Sequence, residues 1–366
     1  MVLRQKMATI NQNKARLTPK VDKNNMSNYR EIVLAHYCQG IPKLSDFEII
    51  EKPIPEPEEG EFRLRHIWNS VDPGTRGRLS GVASYSPPLG IGSPIESFSV
   101  GVIEKSRHPS YPEGMYVAVG GGWKTHSIQT GEGYVVPISG SARALPLSYW
   151  IGVLCVPGLT GWFGLKNTQF KQHDQVLISS AAGPVGATAG QLAKAWGAKR
   201  VVGIAGADEK CDWLVNEAGF DAAINYKTTD DLDAQIRQTM PDGVDLLFDN
   251  VGNDMVNRVL PMMNLNGRIC ISGQVADYNL PLEDTPGIVN TKYFITHRLT
   301  MRGLLVFDYA AEFGDTFKQL AGLIATDKLN VKEERYQGIE TTAEAFCGLF
   351  TNQNFGRRVV QVSDEE

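Results

Sequence analysis

Residues 179–194 read SSAAGPVGATAGQLAK, directly after the apolar run Val176-Leu177-Ile178. Glycines stand at 183, 186 and 190. A dinucleotide-binding turn reads G-x-G-x-x-G between a strand and a helix, and Ala181 stands where its first glycine would be. That first position needs only a small residue in a tight turn, so alanine serves. The second must lack a side chain because a pyrophosphate approaches the backbone there, which Gly183 satisfies. The third lets the helix pack close to the strand, which Gly186 satisfies. Pro184 falls near the helix start, where its missing N–H costs nothing. Taken alone, the turn fits either a phosphate site on a helix N-terminus or a bare strand-to-helix corner.

The surroundings favour the phosphate site. Val185, Ala189, Leu192, Ala193 and Trp196 fall on one face of a helix. Downstream, the apolar runs RVVGIAG, DAAINY, DLLFDNV, RICISG and LTMRGLLV alternate with helical patterns expected to begin near Asp208, Asp230, Met255 and Ala310. Continuous apolar runs suit strands buried on both faces, so 156–326 is expected to be a doubly wound parallel α/β domain. Residues 28–155 have another texture: short β-like runs broken by Gly and Pro, as in EFRLRHIWNSVDPG and GMYVAVGGGW. They are expected to form a β-rich domain, completed by 327–366 with the strand-like FGRRVVQV.

An NAD site wants an acid at the end of the second strand. Here RVVGIAGADEK ends in Gly206-Ala207, and Asp208 lies just beyond. Lys210 follows, and Tyr226 and Lys227 come after the third strand. A cation and a phenol beside a missing acid favour the 2′-phosphate of NADP, though Lys210 also reads as a solvated helix residue.

Composition narrows the function further. The 366 residues are 42% hydrophobic and 21% charged, with a formal net charge of −5. That is ordinary globular material and argues against a nucleic-acid surface. The sequence has no apolar run of membrane-spanning length. Five widely spaced cysteines, none in C-x-x-C, argue for a reducing compartment, so the cytoplasm is expected. Residues 1–27 carry several Lys and Arg against the single acid Asp22 and have no secretory-type apolar core. They are expected to be a disordered tail, a stretch upstream of a true start at Met26, or a transit peptide. No closely spaced Cys or His ligand set is visible, so no metal is expected. Without a Lewis acid, carbonyl reduction lacks its usual activator. Reduction of a conjugated C=C bond needs only hydrogen bonds at the enolate oxygen.

Eight segments in order now carry a family resemblance: SVDPGTRGRLS (70–80), SYSPPLGIGSPIES (84–97), VPGLTGWFGL (156–165), AAGPVGATAGQLAK (181–194), GFDAAINYK (219–227), FDNVG (248–252), ISGQVADYN (271–279) and NFGRRV (354–359). From about residue 30 to 363 the chain resembles the zinc-independent medium-chain dehydrogenase/reductases of the prostaglandin reductase, 2-alkenal reductase and curcumin reductase group. The resemblance implies a GroES-like first domain, a Rossmann domain and NADPH as hydride donor. It places Gly183, Val185 and Gly186 at the pyrophosphate, and Lys210 and Tyr226 at the 2′-phosphate. Thr160, Asn250, Ser272, Gly273, Leu304, Leu305, Val306, Phe307 and Asn354 would line the rest of the cofactor. Tyr278 would donate to the substrate carbonyl. The implied reaction is reduction of small α,β-unsaturated ketones or aldehydes, with a quinone reductase or a non-catalytic NADPH-binding protein as alternatives. The implied assembly is a homodimer through the LTMRGLLV edge strand.

The family's DPYMRG reads DPGTRG here, so Gly74 replaces a pocket tyrosine and the pocket is expected to widen beside Gly74 and Thr75. Tyr85 is a candidate pocket roof. Arg76 is read as a structural ion pair in preference to a contact for an acidic substrate group.

Overall fold

The structure is a computed structural model, and it describes residues 28–83, 86–351 and 353–365. The expectations for residues 1–27 and for Tyr85 lie outside the described residues.

The chain opens with an antiparallel pair, β1 (Asn28–Leu34) and β2 (Phe47–Pro53). A second sheet follows, with β3 (Phe62–Ser70), β4 (Ser99–Ser106), β5 (Tyr116–Val119) and β7 (Val135–Ile138) as antiparallel neighbours. β6 (His126–Gln129) pairs with β3. β3 begins by alternating, with Phe62 and Leu64 buried and Arg63 and Arg65 partly exposed, and is then buried throughout from His66 to Ser70. The period of two puts one face of the strand on the core and lets the arginine stems lie along its edge.

Helix α1 (Val156–Asn167) leads into a six-stranded parallel sheet. Its strands are β8 (Gln175–Ile178), β9 (Arg200–Ala205), β10 (Ala222–Asn225), β11 (Val244–Asp249), β12 (Met263–Ile271) and β13 (Thr300–Gly303), in the order β10-β9-β8-β11-β12-β13. Four connecting helices are α2 (Pro184–Ala195), α3 (Asp208–Asn216), α4 (Leu232–Thr239) and α5 (Asn253–Val259). The single-turn α6 (Lys292–Thr296) and the longer α7 (Phe313–Ala325) flank β13. The strand order is that of a Rossmann fold, and it reverses between β8 and β11.

The apolar runs are continuous because alternate residues serve two cores. Val176 and Ile178 of β8 pack with Phe163 of α1, Leu192 of α2, Leu214 of α3 and Phe317 of α7. Leu177 packs on the other face with Ile236 of α4 and Val256 of α5. The sheet is therefore covered on both sides, as the doubly wound reading requires. The run LTMRGLLV does not all become strand. β13 stops at Gly303, and Leu305 caps a 3-10 turn from Val306 to Glu312.

After α7 come β14 (Glu333–Gln337), α8 (Thr342–Cys347) and β15 (Arg357–Gln361). β15 pairs antiparallel with β3, so the chain end returns to the first sheet. Val156, Pro157 and Thr160 of α1 and Arg357 and Arg358 of β15 line one cavity with the loops after β8 and β11.

Candidate active site

The two central strands are lashed together at their C-terminal ends. Ser179 Oγ donates to Asp249 Oδ1 at 2.6 Å and accepts the Asn250 N–H at 2.8 Å. Asn250 Nδ2 donates to the Ser179 carbonyl at 2.8 Å, and Ser272 Oγ donates to Asn250 Oδ1 at 2.5 Å. Asp249 is fully buried, and its second oxygen accepts the Gly252 N–H at 2.9 Å. Burial pushes its carboxyl up to about 6, although the Ser179 hydroxyl and the backbone N–H groups of Gly252 and Val251 oppose that shift.

Above this lashing lies the glycine turn. Ala181 donates its N–H to the Ile204 carbonyl at 2.9 Å, and a Cβ on Gly203 would come within 2.7 Å of its own Cβ. A side chain larger than alanine at 181 meets β9. Gly183 is the N-cap of α2, and Pro184 occupies its first turn. A Cβ on Gly186 would lie 2.6 Å from the Ser180 carbonyl oxygen, so glycine is required for the helix to start this close to the strand. The first-turn N–H groups of Val185 and Gly186 have no intrahelical acceptor and carry the positive end of the helix dipole. Such groups can cradle an anion.

A cavity of about 460 Å³ opens over the cradle. Gly183, Pro184, Val185 and Gly186 line it, as do Asn250, Ser272 and Gly273. Leu304, Leu305, Val306 and Phe307 also line it, together with Thr160 and Asn354. The β-rich domain contributes Asp72, Pro73 and Gly74. Thr75 does not line this cavity; its N–H turns back to the Asp72 carbonyl at 3.1 Å. Thr160 donates its hydroxyl to the Val156 carbonyl at 2.7 Å, one turn back in α1. Tyr278 lines the cavity from the loop after β12, its hydroxyl 3.5 Å from where a Cβ on Gly273 would stand.

A second cavity, of about 890 Å³, shares Ser180, Gly183 and Asn354 with the first and contains Lys210 and Tyr226. A Cβ on Gly206 would sit 2.9 Å from the Tyr226 ring and 3.2 Å from Lys227 Cε, so the glycine makes room for both side chains. Burial and the charge of Lys227 hold the Lys210 ammonium below its ordinary range. A half-buried cation on the pocket wall with a second cation close by is a group that an anion would stabilise. Asp208 does not line this cavity, and its Oδ1 accepts from Asn225 Nδ2 at 2.6 Å.

Residues 30–136 match the family model for the N-terminal domain of oxidoreductase, and 184–326 match that for zinc-binding dehydrogenase. The chain is 36% identical over 342 residues to 2-alkenal reductase (NADP(+)-dependent) of Nicotiana tabacum, covering 92% of this chain and 98% of that one. It is 34% identical over 343 residues to NADPH-dependent curcumin reductase of Escherichia coli strain K12, with coverage of 92% and 98%. The chain belongs to the medium-chain dehydrogenase/reductase family, in its 2-alkenal, curcumin and prostaglandin reductase group. CurA from Vibrio vulnificus, crystallised in complex with NADPH, superposes with a TM-score of 0.85 at 33% identity, covering 92% of this chain and 99% of CurA.

Although one family model carries zinc in its description, no group of three or more His, Cys, Asp or Glu side chains that could hold a metal occurs among the described residues of this dehydrogenase/reductase. Arg76 corrects the sequence reading. Its partners are the Cys38 and Gly40 carbonyls and Asn279 Oδ1, rather than a carboxylate. Two further residues at the cleft escape the motif reading, Asp72 and Arg357, which form an ion pair at 2.6 Å. Their signal is an arginine pair inside the apolar strand FGRRVV, since charges buried in a strand demand partners.

Proposed function

We propose that the protein is an NADPH-dependent ene-reductase that reduces the C=C bond of small α,β-unsaturated ketones or aldehydes. One observation carries the reading: the anion cradle at Gly183–Gly186, the Lys210–Tyr226 pocket and Tyr278 all border two adjoining cavities with shared walls. The names of the relatives, 2-alkenal reductase and curcumin reductase, support the same class.

The residues fit NADPH. The N–H groups of Val185 and Gly186 would hold the pyrophosphate, and Lys210, Tyr226 and Lys227 the 2′-phosphate. Asn250, Ser272, Gly273 and Leu304–Phe307 would line the rest. When bound, the cofactor supplies a hydride to the β-carbon of the substrate. Val71, Pro157 and Val306 give the cavity apolar lining suited to an uncharged enone. Tyr278 donates its O–H to the carbonyl oxygen, where negative charge grows as the double bond is reduced. A donor there stabilises the enolate, and the α-carbon then takes a proton from water or a tyrosine. Gly74 leaves the cavity wall without a side chain, which admits substrates with bulky groups at that end.

The exposed edge strand supports a homodimer. All four residues of β13 are exposed, and Leu305 and Phe307 beside it are 43% and 47% exposed. Pairing two copies along β13 would cover the four exposed residues of that strand, while Leu305 and Phe307 face the cavity. The five cysteines described are free, which fits a reducing compartment such as the cytoplasm.

The experiment is oxidation of NADPH, with NADH in parallel, against a 2-alkenal, an extended enone, a quinone and a saturated aldehyde. Turnover of the enones with NADPH, and none of the saturated aldehyde, is expected. Turnover of the quinone alone would assign a quinone reductase. Binding of NADPH without turnover on any of them would assign a non-catalytic role.

A further inference from the structure

Arg76 and Asn279 reach each other from opposite sides of the cleft. Arg76 lies in the 3-10 turn Pro73–Leu79 that carries Gly74, and it is 4% exposed. Its Nη2 donates to the Cys38 carbonyl at 3.1 Å and the Gly40 carbonyl at 2.9 Å. These contacts hold the guanidinium within the β-rich domain. Its Nε donates to Asn279 Oδ1 at 3.0 Å, across 203 residues of sequence, with the Gly40 carbonyl as a longer second acceptor at 3.3 Å. The planar fork is therefore fixed on one side and presents a donor in a set direction to the other domain.

Asn279 follows Tyr278 in the loop after β12. The near side of this loop is tied to the parallel sheet: Val275 and Ala276 donate their N–H groups to the Asn250 and Val251 carbonyls at 3.2 and 3.0 Å. Asp277 sits against Gly252, where a Cβ would come within 2.4 Å of Asp277 Oδ2. Tyr278 thus stands between a residue packed on the nucleotide-binding domain and a residue bonded to the β-rich domain.

We infer that the Arg76–Asn279 hydrogen bond is a clamp across the cleft that positions Tyr278 for the reduction step. A side chain on a loop needs support on both sides to hold an aim, and misplacing a catalytic group by about 1 Å costs on the order of 10²-fold in rate. The clamp sets the spacing of the two domains and the aim of the Tyr278 hydroxyl through a single contact. Arg76 and Asn279 are positioning residues that act through Tyr278. The inference rests on the ene-reductase reading for the step that Tyr278 assists.

The test compares Asn279→Ala, Asn279→Asp, Tyr278→Phe and the double variant Tyr278→Phe/Asn279→Ala with the unaltered protein. Asn279 is only half-buried, so each variant is expected to fold, which thermal unfolding checks. Asn279→Ala is expected to lower kcat on an enone about tenfold while the KM for NADPH stays within about twofold. Asn279→Asp keeps an acceptor for Arg76 and is expected to hold kcat within about threefold of the unaltered protein. In the Tyr278→Phe background, Asn279→Ala is expected to have no further effect on kcat. Full activity in Asn279→Ala, or losses that multiply in the double variant, would overturn the inference. Amide exchange over residues 275–280 gives a readout free of catalysis, and it is expected to quicken about tenfold in Asn279→Ala but not in Asn279→Asp. Unchanged exchange in Asn279→Ala also overturns the clamp. An unaltered protein inactive on every enone would sink the ene-reductase reading, and the exchange comparison would then decide the clamp alone.

Discussion

Arg357 on β15 donates from Nη1 to Asp72 Oδ1 at 2.6 Å, which fastens the last strand of the chain to the loop entering Pro73 and Gly74. The same guanidinium donates to the Ile151 carbonyl from Nε at 3.0 Å and Nη2 at 2.6 Å, and to the Val71 carbonyl at 3.1 Å. Asp72 Oδ2 accepts the Ser70 hydroxyl at 2.6 Å. Arg357 is 3% exposed and Asp72 19%, so the pair is largely out of water. Arg357→Ala leaves a shielded carboxylate and two carbonyls without their partner, and it is expected to cost about 3–5 kcal/mol. Asp72→Asn keeps a carbonyl acceptor and is expected to cost about 1–3 kcal/mol. Urea unfolding at neutral pH measures both. A loss under about 1 kcal/mol in Arg357→Ala would mean the strand and the loop hold their places without the pair.

The two glycines of the turn are expected to fail differently. An added methyl at Gly186 meets the Ser180 carbonyl oxygen at 2.6 Å and the Ala181 Cα at 2.8 Å, both backbone atoms of the turn itself. Gly186→Ala is therefore expected to lose about 1–3 kcal/mol of stability along with cofactor binding. At Gly183 the nearest atom is 3.3 Å away, and the backbone is in an extended conformation open to any residue. Gly183→Ala is expected to fold with near-normal stability and still lose NADPH affinity, because its methyl points where a pyrophosphate approaches. Thermal unfolding paired with NADPH titration separates the two. Equal losses of stability in both variants would contradict this division of roles.

The turn is legible in sequence because its constraints are local. Ala181, Gly183 and Gly186 meet each other and Ser180 within one turn, and strand and helix periodicity flank them directly. The parallel sheet is legible for a similar reason, since alternate residues of β8 serve two cores and the run must be apolar throughout. The side-chain ties around the cleft are not legible. Arg357 is visible as a charge in an apolar strand, but Asp72 lies 285 residues away, and no spacing rule links them. Arg76 is satisfied by two backbone carbonyls and an amide, and backbone carbonyls leave no trace in a sequence. An ion pair is therefore the natural expectation, and it differs from what the fold supplies. Thr75 shows the same limit on a smaller scale. It neighbours Gly74, yet the 3-10 turn takes it off the cavity wall.

Lys210 is expected to carry the preference for a phosphorylated cofactor. Burial and Lys227 hold its ammonium below its ordinary range, a strain that a 2′-phosphate bound there would relieve. Lys210→Ala is expected to cost about 1.5–3 kcal/mol toward NADPH, or roughly 10- to 150-fold in kcat/KM, and almost nothing toward NADH. Tyr226→Phe keeps the ring that packs on Gly206 and removes only the hydroxyl, so its loss is expected to be smaller, about 1 kcal/mol. The ratio of kcat/KM for the two cofactors is the measurement. An unchanged ratio in Lys210→Ala would return this lysine to the status of a helix-surface residue.

His66 should make the fold sensitive to mild acid. It is fully buried in β3, with Nδ1 3.1 Å from Asn69 Oδ1 and Nε2 2.7 Å from Ser127 Oγ. Asn69 donates its Nδ2 to the Lys124 carbonyl, which leaves Oδ1 facing the ring. A neutral imidazole satisfies both contacts by donating from Nδ1 and accepting at Nε2. Burial pushes its pKa down to about 3, whereas a histidine in the unfolded chain titrates near ~6.5. Between those values the unfolded chain binds a proton that the folded protein refuses, so stability falls with pH by about 1.4 kcal/mol per unit. Asp249 acts in the opposite sense. Its raised pKa makes the folded form hold a proton the unfolded chain has released, so the stability it costs at neutral pH returns as pH falls through about 6. A variant that changes His66 alone keeps the Asp249 contribution constant. His66→Gln is expected to be less stable than the unaltered protein at pH 7 and to regain about 2 kcal/mol on it by pH 5. Guanidinium unfolding of both proteins at the two pH values reads the difference. A gap that does not change with pH would mean that His66 takes up its proton without leaving the fold.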